Sequence, residues 1–258
     1  MEIRARKLSG SYPEPGRFGL ALRRRTVVRE VSFEVARGEV VALAGKNGSG
    51  KSTTLRLLAG LLPADRGDAL LGQVPATRNA ARRQLGYLAE EDEFPVGLRV
   101  GHILGYAAVL AGYRGSGARR EAEQAAERVG VAEWLAIPAA RASRGVRRRV
   151  SLAQALLGEP RALVLDEPLT GLDPEARVRS LAAIRAAARD GAAVILSLHE
   201  AAAIESVADR LIVLADGAVA AAGPVDDFVA KAGGDRSATG ESGGWLAAAL
   251  NGASSMAP

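Results

Sequence analysis

The amino-acid sequence predicts an α/β protein with a mainly parallel sheet, antiparallel β strands near the N-terminus and an α-helical subdomain inserted in mid-chain. Short apolar runs at 39–44, 162–165 and 193–198 are typical of strands that are covered on both faces of a parallel sheet. Residues 26–35 instead alternate with a period of two, which indicates a half-buried strand. From about residue 98 to 158 the apolar spacing becomes helical, so helices interrupt the series of strands.

The first strands are predicted at 3–8 and 26–35, with a turn-rich segment at 9–19 between them. In the second strand Val27, Val31, Phe33 and Val35 share one face, which we expect to be the buried one. A turn at 37–38 leads into the apolar strand at 39–44.

This strand runs into a glycine-rich segment with the spacing G-x-x-x-x-G-K-[ST], and a helical pattern follows from Thr53 to residue 60. The glycines let backbone N–H groups surround phosphate oxygens at a helix N-terminus, which favours anions. We expect Lys51 to reach the β- and γ-phosphates of a nucleotide and the Ser52 hydroxyl to ligate Mg²⁺. A glycine turn that binds nothing is the alternative, and the flanking strand and helix argue against it. The sequence therefore predicts a P-loop NTPase core. Its loop consists of Gly45, Lys46, Asn47, Gly48, Ser49, Gly50, Lys51 and Ser52.

Further along, short strands are predicted at 69–71 and 85–88, and helices occupy the middle of the chain. The first helix has an apolar face of Ile103, Leu104, Ala107, Ala108 and Leu110, and others are predicted at 119–129 and 146–157. We interpret residues 91–158 as a helical subdomain inserted in a domain of residues 1–230. A hairpin around 216–217 ends the series of strands. Residues 231–258 form a Gly-, Ser- and Ala-rich tail, with a flexible linker at 233–244 and then either a short helix or a disordered end.

Candidate catalytic residues follow the two later apolar strands, at the strand end where parallel sheets bind ligands. Asp166 ends the run at 162–165 and is expected to hold Mg²⁺, directly or through water. The adjacent Glu167 is expected to act as general base on the attacking water. His199 ends the run at 193–198 and is expected to reach toward the γ-phosphate. A single Asp or His at a strand end is more often structural, but the three together with the P-loop indicate phosphoryl transfer.

Composition restricts the function classes. The chain has 258 residues and a formal net charge of +5, with arginine clusters at 23–25, 82–83 and 147–149. Nucleic acid or an anionic membrane surface could use such clusters, but charge runs specify little, so we interpret them as a solvated surface and expect no direct nucleic-acid partner. The absence of cysteine excludes disulfides and thiolate metal sites. The sequence has no signal-peptide core and no apolar run long enough for a membrane span, so we expect a cytoplasmic protein.

With these motifs in place, the chain resembles the ATP-binding subunit of an ATP-binding cassette (ABC) transporter between residues 3 and 228. Residues 45–52 match Walker A, 163–168 match Walker B with its catalytic glutamate, and 171–174 match the D-loop. Residues 197–200 resemble the switch-histidine region. The resemblance implies ATP and Mg²⁺ as cofactors and an ATPase whose hydrolysis drives transport. It also implies that Thr53 and Asp173 contribute to nucleotide binding.

The family signature, L-S-G-G-Q, corresponds here to residues 142–146 and is degenerate. Only Ser143 and Gly145 remain, because Ala142, Arg144 and Val146 replace the other three residues. The resemblance implies that Ser143 and the Gly145 backbone bind the γ-phosphate of an ATP held by a second ABC subunit in a head-to-tail dimer. The degenerate signature leaves both a homodimer and a heterodimer with unequal sites open.

Glu90 replaces the glutamine that the family usually has in its Q-loop, and the resemblance implies that it ligates Mg²⁺ and senses the γ-phosphate. Tyr12 most resembles the aromatic residue that stacks on adenine, Phe18 is its rival, and a surface-turn tyrosine is the alternative. The glutamate and the S-x-G-x-R-R signature resemble exporter-type cassettes that work with a separate integral membrane permease. The segment 90–100 is either the permease-docking face or an ordinary loop.

The first functional hypothesis is therefore an ATPase subunit at the inner face of the cell membrane that drives transport, and the resemblance implies export. The second is a soluble non-transport ABC ATPase in DNA repair or translation, whose relatives usually carry a coiled-coil insertion or two linked cassettes, which the sequence lacks. The third is a P-loop kinase or GTPase, which would lack the signature, the D-loop and the switch histidine.

Overall fold

A computed structural model of the protein describes residues 1–14, 23–231 and 244–255, which form two sheets and the helices around them. In chain order the strands are β1 (Ile3–Glu14), β2 (Arg23–Val35), β3 (Val40–Gly45), β4 (Arg66–Leu71), β5 (Val74–Pro75), β6 (Leu85–Leu88), β7 (Ala162–Leu165), β8 (Ala193–Ser197), β9 (Arg210–Ala215) and β10 (Ala218–Pro224). The helices are α1 (Lys51–Leu58), α2 (Asn79–Arg82), α3 (Val100–Leu110), α4 (Ser116–Val129), α5 (Arg144–Leu156), α6 (Pro174–Arg189), α7 (Ala201–Val207), α8 (Val225–Lys231) and α9 (Gly244–Ser255). Two short 3₁₀ helices, Ala132–Trp134 and Ala139–Arg141, connect α4 to α5.

The larger sheet has the strand order β10-β9-β3-β8-β7-β6, and all its neighbouring pairs are parallel except β9 with β10. The smaller sheet is antiparallel, with the order β2-β1-β4-β5. This arrangement confirms the predicted α/β class, with a parallel-rich sheet and antiparallel N-terminal strands. Helices α3, α4 and α5 lie between β6 and β7 in the chain, where the sequence predicts an insertion.

Strand β3 shows that both faces of the larger sheet are covered. Val40 and Ala42 belong to one apolar cluster, whereas Val41 and Leu43 belong to the other, and all four side chains are fully buried. Since side chains alternate across a strand, each cluster covers one face. The apolar composition predicted for this strand follows from having no solvent-facing side.

The buried face predicted for β2 is partly wrong. Val28, not Val27, is buried together with Val31 and Val35, while Val27 and Phe33 are half-buried. The register with β1 shifts because three residues of β2 span the distance covered by two in β1, and Glu30 there has a φ of 48°. This bulge reverses the alternation of side chains along the strand.

Strand β1 is longer than predicted, because it continues through the segment that the sequence assigns to turns, up to Glu14. Ser11 Oγ donates to Asp65 Oδ2 at 2.6 Å, and Arg24 Nη2 lies 2.6 Å from Asp65 Oδ1, which fixes this end of the sheet. In α3 the predicted apolar face is wrong at Leu110, which is 86 % exposed. Four of the observed helices, α2, α6, α7 and α8, were not predicted from the sequence.

The C-terminal tail contains α9, which packs against β9, β10 and α8. Trp245 and Leu246 are buried, and the Trp245 indole donates to Glu205 Oε1 at 2.6 Å. Of the two alternatives for this segment, the helix is therefore the one observed. The predicted linker lies outside the described residues, apart from Gly244 at the start of α9. No helix within the described ranges is long and apolar enough to cross a membrane.

Candidate functional site

The candidate site lies at the carboxyl end of the larger sheet, where four adjacent strands end. The order β3-β8-β7-β6 places the glycine loop, Ser197, Asp166 and the segment that contains Glu90 next to one another. Residues far apart in sequence thus converge at one edge, which is where open α/β sheets bind ligands.

The glycine loop has a conformation that depends on its glycines. Gly50 precedes α1 with a φ of 100°, in the left-handed region that favours glycine. At Gly45 an added Cβ would lie 2.3 Å from Ser49 Oγ and 2.6 Å from the Leu214 carbonyl oxygen. The loop therefore turns tightly into α1 and leaves its backbone free of side-chain bulk, as a phosphate cradle requires.

Lys51 begins α1 and is 9 % exposed. Its Nζ donates to the carbonyl oxygens of Gly45 at 2.8 Å and Lys46 at 3.3 Å, so the ammonium group lies within the loop. Burial lowers the pKa of Lys51, while the nearby charges of Glu167, Asp166 and Glu90 act in the opposite direction. The structure thus brings the lysine and the three predicted carboxylates into one electrostatic group.

Asp166 is 1 % exposed, and only one of its carboxylate oxygens has a protein partner within the described part of the chain. Oδ1 accepts from Ser197 Oγ at 2.7 Å, whereas the buried Oδ2 accepts from no group there. A buried carboxylate oxygen without a donor is costly unless a cation or ligand satisfies it.

Glu167 has a φ of 48°, which is unusual for a residue with a side chain. Its backbone N–H donates to Ser197 Oγ at 2.7 Å, and its Oε2 accepts from Thr170 Oγ1 at 2.8 Å. Ser197 therefore holds both acidic residues at once. Neither Ser197 nor Thr170 has a role predicted from the sequence, although Ser197 ends the apolar strand next to that of Asp166.

The predicted magnesium ligands fit that ion in chemistry. Ser52 Oγ lies 3.5 Å from Glu90 Oε2, and Asp166 has its unpartnered oxygen in the same group. Within the described ranges there is no cluster of three or more His, Cys, Asp or Glu side chains that could hold a metal. Mg²⁺ needs no such cluster, because it is usually held by one or two carboxylates together with water and substrate phosphates.

His199 follows β8, and its side chain is 58 % exposed, with Nε2 3.6 Å from Glu200 Oε1. Glu200 is itself paired with Arg177 of α6, whose Nη2 donates to Oε1 at 2.7 Å. That hydrogen bond is the largest cause of the lowered pKa of Glu200. The histidine thus lies on the solvent side of the carboxyl edge.

The predicted trans-acting residues form a second group. Ser143 is exposed and caps α5, with its Oγ accepting from Val146 N at 3.3 Å. At Gly145 an added Cβ would lie 2.9 Å from the Gly171 carbonyl oxygen, so the start of α5 packs closely on the segment before α6. Asp173 caps α6, and its Oδ1 accepts from Ala176 N at 2.8 Å.

Tyr12 lies on β1 rather than in a surface turn, and it is half-buried. Its Oη accepts from Arg56 Nη1 of α1 at 3.4 Å, which links it to the helix that follows the glycine loop. Its rival, Phe18, lies outside the described residues.

Comparisons with known proteins agree with this geometry. The model of the family described as ABC transporter matches residues 28–170, more than half of the chain. The chain belongs to the ABC transporter family. It is an ABC ATP-binding subunit and an ATPase. A solved structure described as the ATP binding subunit of an ABC transporter superposes with a TM-score of 0.79 at 31% identity, covering 93% of this chain and 96% of that one.

Relatives of this ABC subunit include proteins named for opposite directions of transport. The Nod factor export ATP-binding protein I of Bradyrhizobium diazoefficiens is 36% identical over 210 residues, covering 80% of this chain and 68% of that protein. The aliphatic sulfonates import ATP-binding protein SsuB 1 of Pseudomonas fluorescens is 37% identical over 225 residues, covering 83% and 81%.

Proposed function

We propose that the protein hydrolyses Mg²⁺–ATP at the carboxyl edge of its larger sheet and thereby drives transport through a separate membrane permease. The observation that carries this proposal is the convergence of Lys51, Asp166 and Glu167 in one electrostatic group beside the glycine loop. Phosphoryl transfer depends mainly on positioned phosphates, charge stabilisation and an oriented nucleophile, and these residues provide all three.

In the proposed site the glycine loop and Lys51 hold the β- and γ-phosphates. Ser52, Asp166 and Glu90 are the residues that would hold Mg²⁺, and the ion would neutralise phosphate charge. The unpartnered Oδ2 of Asp166 supports this assignment, because it is an available oxygen ligand at the correct strand end. His199 is the residue proposed to contact the γ-phosphate.

Glu167 is the proposed general base. Its Oε2 is held by Thr170 and its backbone N–H by Ser197, which leaves Oε1 to accept a proton from water. As the water oxygen bonds to the γ-phosphorus, the bond from that phosphorus to the β–γ bridging oxygen breaks, and ADP leaves with that oxygen. Removing such a base typically costs ~10²–10⁴ in rate.

The proposed active form is a head-to-tail dimer of two ABC subunits, either identical or paralogous. Ser143 is exposed at the start of α5 and Gly145 lies two residues further on, in its first turn, which supports a contact of both with an ATP held by a second subunit. Asp173 lies at the adjacent start of α6 and would take part in the same contact. Tyr12 is proposed to stack on the adenine ring.

The proposed location is cytoplasmic, on the inner face of the membrane through the permease. In the predicted docking segment Val96 is 97% exposed, and on the helix α3 that follows it Tyr106 is 62% exposed and Leu110 is 86% exposed. A permease that covered these apolar side chains would remove them from water, which supports the proposal. Export is the proposed direction, supported by the glutamate in the Q-loop and the S-x-G-x-R-R signature.

The test is purification of the subunit with a permease encoded beside its gene, followed by reconstitution in vesicles. We expect ATP to drive the substrate across the membrane from the side that holds the ATPase subunit to the opposite side. We expect no ATP-dependent movement in the reverse direction. Glu167→Gln should lower turnover by about 10²–10⁴-fold, to a residual rate that single-turnover assays still measure, and preserve ATP binding. Unchanged turnover of Glu167→Gln in the active complex would exclude Glu167 as the base, and movement toward the ATPase side would reverse the direction.

A further inference from the structure

Arg148 belongs to the arginine cluster at 147–149 that the sequence analysis interprets as a solvated surface, and this interpretation is wrong for Arg148. It lies on α5, and its side chain is 2% exposed. It is also the largest side chain among the fully buried ones in the described residues. A buried guanidinium must be compensated by hydrogen-bond acceptors or by an opposite charge, so its partners indicate what it does.

The first set of partners lies in the segment after β6. Nη1 donates to the Ala89 carbonyl oxygen at 2.6 Å, to the Glu90 carbonyl oxygen at 3.2 Å and to Asp92 Oδ1 at 2.9 Å. The Asp92 side chain is 9% exposed, so this ion pair is buried. Arg148 therefore fixes the backbone that carries Glu90 and leads into the proposed docking segment.

The second set of partners lies at the end of β7. Nε and Nη2 donate to the Glu167 carbonyl oxygen at 3.1 and 2.9 Å, and Nη2 also donates to the Asp166 carbonyl oxygen. Glu167 is the residue with the left-handed φ of 48°. A left-handed backbone conformation is unfavourable for a residue with a side chain and persists only when the surrounding structure stabilises it. Here Arg148 contributes by donating to the Glu167 carbonyl oxygen.

We infer that Arg148 is a positioning residue that joins the Ala89 to Asp92 segment to the backbone of Glu167, so that the placement of that segment sets the orientation of the base. The planar fork of the guanidinium makes this possible, because its donors diverge in fixed directions toward both segments. A lysine has the charge but not the fork. This inference rests on the proposed role of Glu167 and adds a route by which the docking face controls it.

The chain offers a matched control on the same helix. Arg149 also donates to backbone carbonyl oxygens, those of Val129 at 3.3 Å and of Gly130, at the end of α4. It contacts neither the segment after β6 nor the end of β7 through these bonds. Arg148→Met and Arg149→Met remove the same group from one helix, and only the first should affect the base.

The experiment measures steady-state and single-turnover ATP hydrolysis by the permease complex. We expect Arg148→Met to lower kcat by about 10²-fold, the loss that a small misplacement of a reacting group can cause, with the KM for ATP nearly unchanged. Arg149→Met should keep kcat within about twofold. In a Glu167→Gln background, Arg148→Met should add less than about a twofold loss, because residues that act through one another are not additive.

Arg148→Lys and Asp92→Asn provide the test if Arg148→Met does not fold. Both keep the shape of the site closely, and we expect each to lower kcat by about tenfold at unchanged KM. A wild-type kcat in Arg148→Lys would overturn the inference. An Arg148 substitution that lowered kcat by the same factor in the wild-type and Glu167→Gln backgrounds would also overturn it and leave Arg148 only a structural role. If Glu167→Gln alone kept full turnover, the proposed base would be wrong, which is a separate outcome.

Discussion

Replacement of Ser197 by alanine tests the arrangement of the acidic residues most directly. Ser197 is fully buried, donates to Asp166 Oδ1 at 2.7 Å and accepts from Glu167 N at 2.7 Å. A buried hydrogen bond to a charged group contributes about 1.5–3 kcal/mol and a neutral one about 0.5–1.5 kcal/mol. Ser197→Ala should therefore lower the free energy of unfolding by about 2–4 kcal/mol, which corresponds to a fall in Tm of about 5–15 °C in a chain of this size.

Ser180 provides the matched control. It is also fully buried, but its Oγ has no hydrogen-bond partner within the described part of the chain. Ser180→Ala removes the same atom without breaking a hydrogen bond, so it should be neutral or stabilising. Urea unfolding and thermal unfolding of both variants in the absence of nucleotide measure the difference. If Ser197→Ala cost no more than Ser180→Ala, the bridge between Asp166 and Glu167 would not hold the site as described.

Three further predictions concern a close contact, a titration and the tail. Gly86→Ala places a Cβ 1.9 Å from the Ala155 carbonyl oxygen and should cost more than about 3 kcal/mol in unfolding free energy. Gly105→Ala, in open space on α3, is the control and should stabilise by about 0.5–1 kcal/mol. Equal unfolding free energies of the two variants in urea would contradict the close contact between Gly86 and Ala155. Burial lowers the pKa of Lys51 below 10.5, so between the folded-state pKa and 10.5 the unfolded chain binds more protons and stability rises with pH. Lys51→Met should lack that rise in unfolding measured from pH 8 to 10, and parallel curves would refute it. Trp245→Phe keeps a ring but loses the indole N–H, so it should destabilise by about 1 kcal/mol and speed proteolysis of the tail. Unchanged cleavage would mean that this hydrogen bond does not hold α9.

The strand series and the glycine loop could be predicted because their patterns are local. Strands 85–88 and 162–165 have the predicted bounds, and the motif at Lys51 specifies its own strand and helix. The buried face of β2 could not be predicted, because the bulge near Glu30 depends on pairing with β1. Helix α6 had a readable signal that was missed, since Asp173-Pro174 supplies an N-cap and a proline in the first turn.

Within the site, the residues with a strong local pattern were found and the supporting residues were not. Ser197 could be recognised only once β8 was known to lie beside β7, which is a property of strand order. Arg148 was missed because a run of three arginines was interpreted by composition. On a helix a residue shares its face with the residues four and seven positions further along, and for Arg148 these are the buried Leu152 and Ala155, so the spacing was a readable signal. The acceptors that compensate the buried guanidinium could not be predicted from this spacing, because tertiary structure brings them there.

The packing of α9 has a consequence for where this chain can be shortened. The resemblance carried by the motifs reaches Phe228, but the apolar core does not end there, because Trp245 and Leu246 complete it beyond Lys231. A chain cut at the similarity boundary would leave apolar surface over β9 and β10 in water, with β10 as an open edge strand. Such a chain is expected to self-associate, so the last motif-bearing position and the end of the folding unit are different positions in this protein.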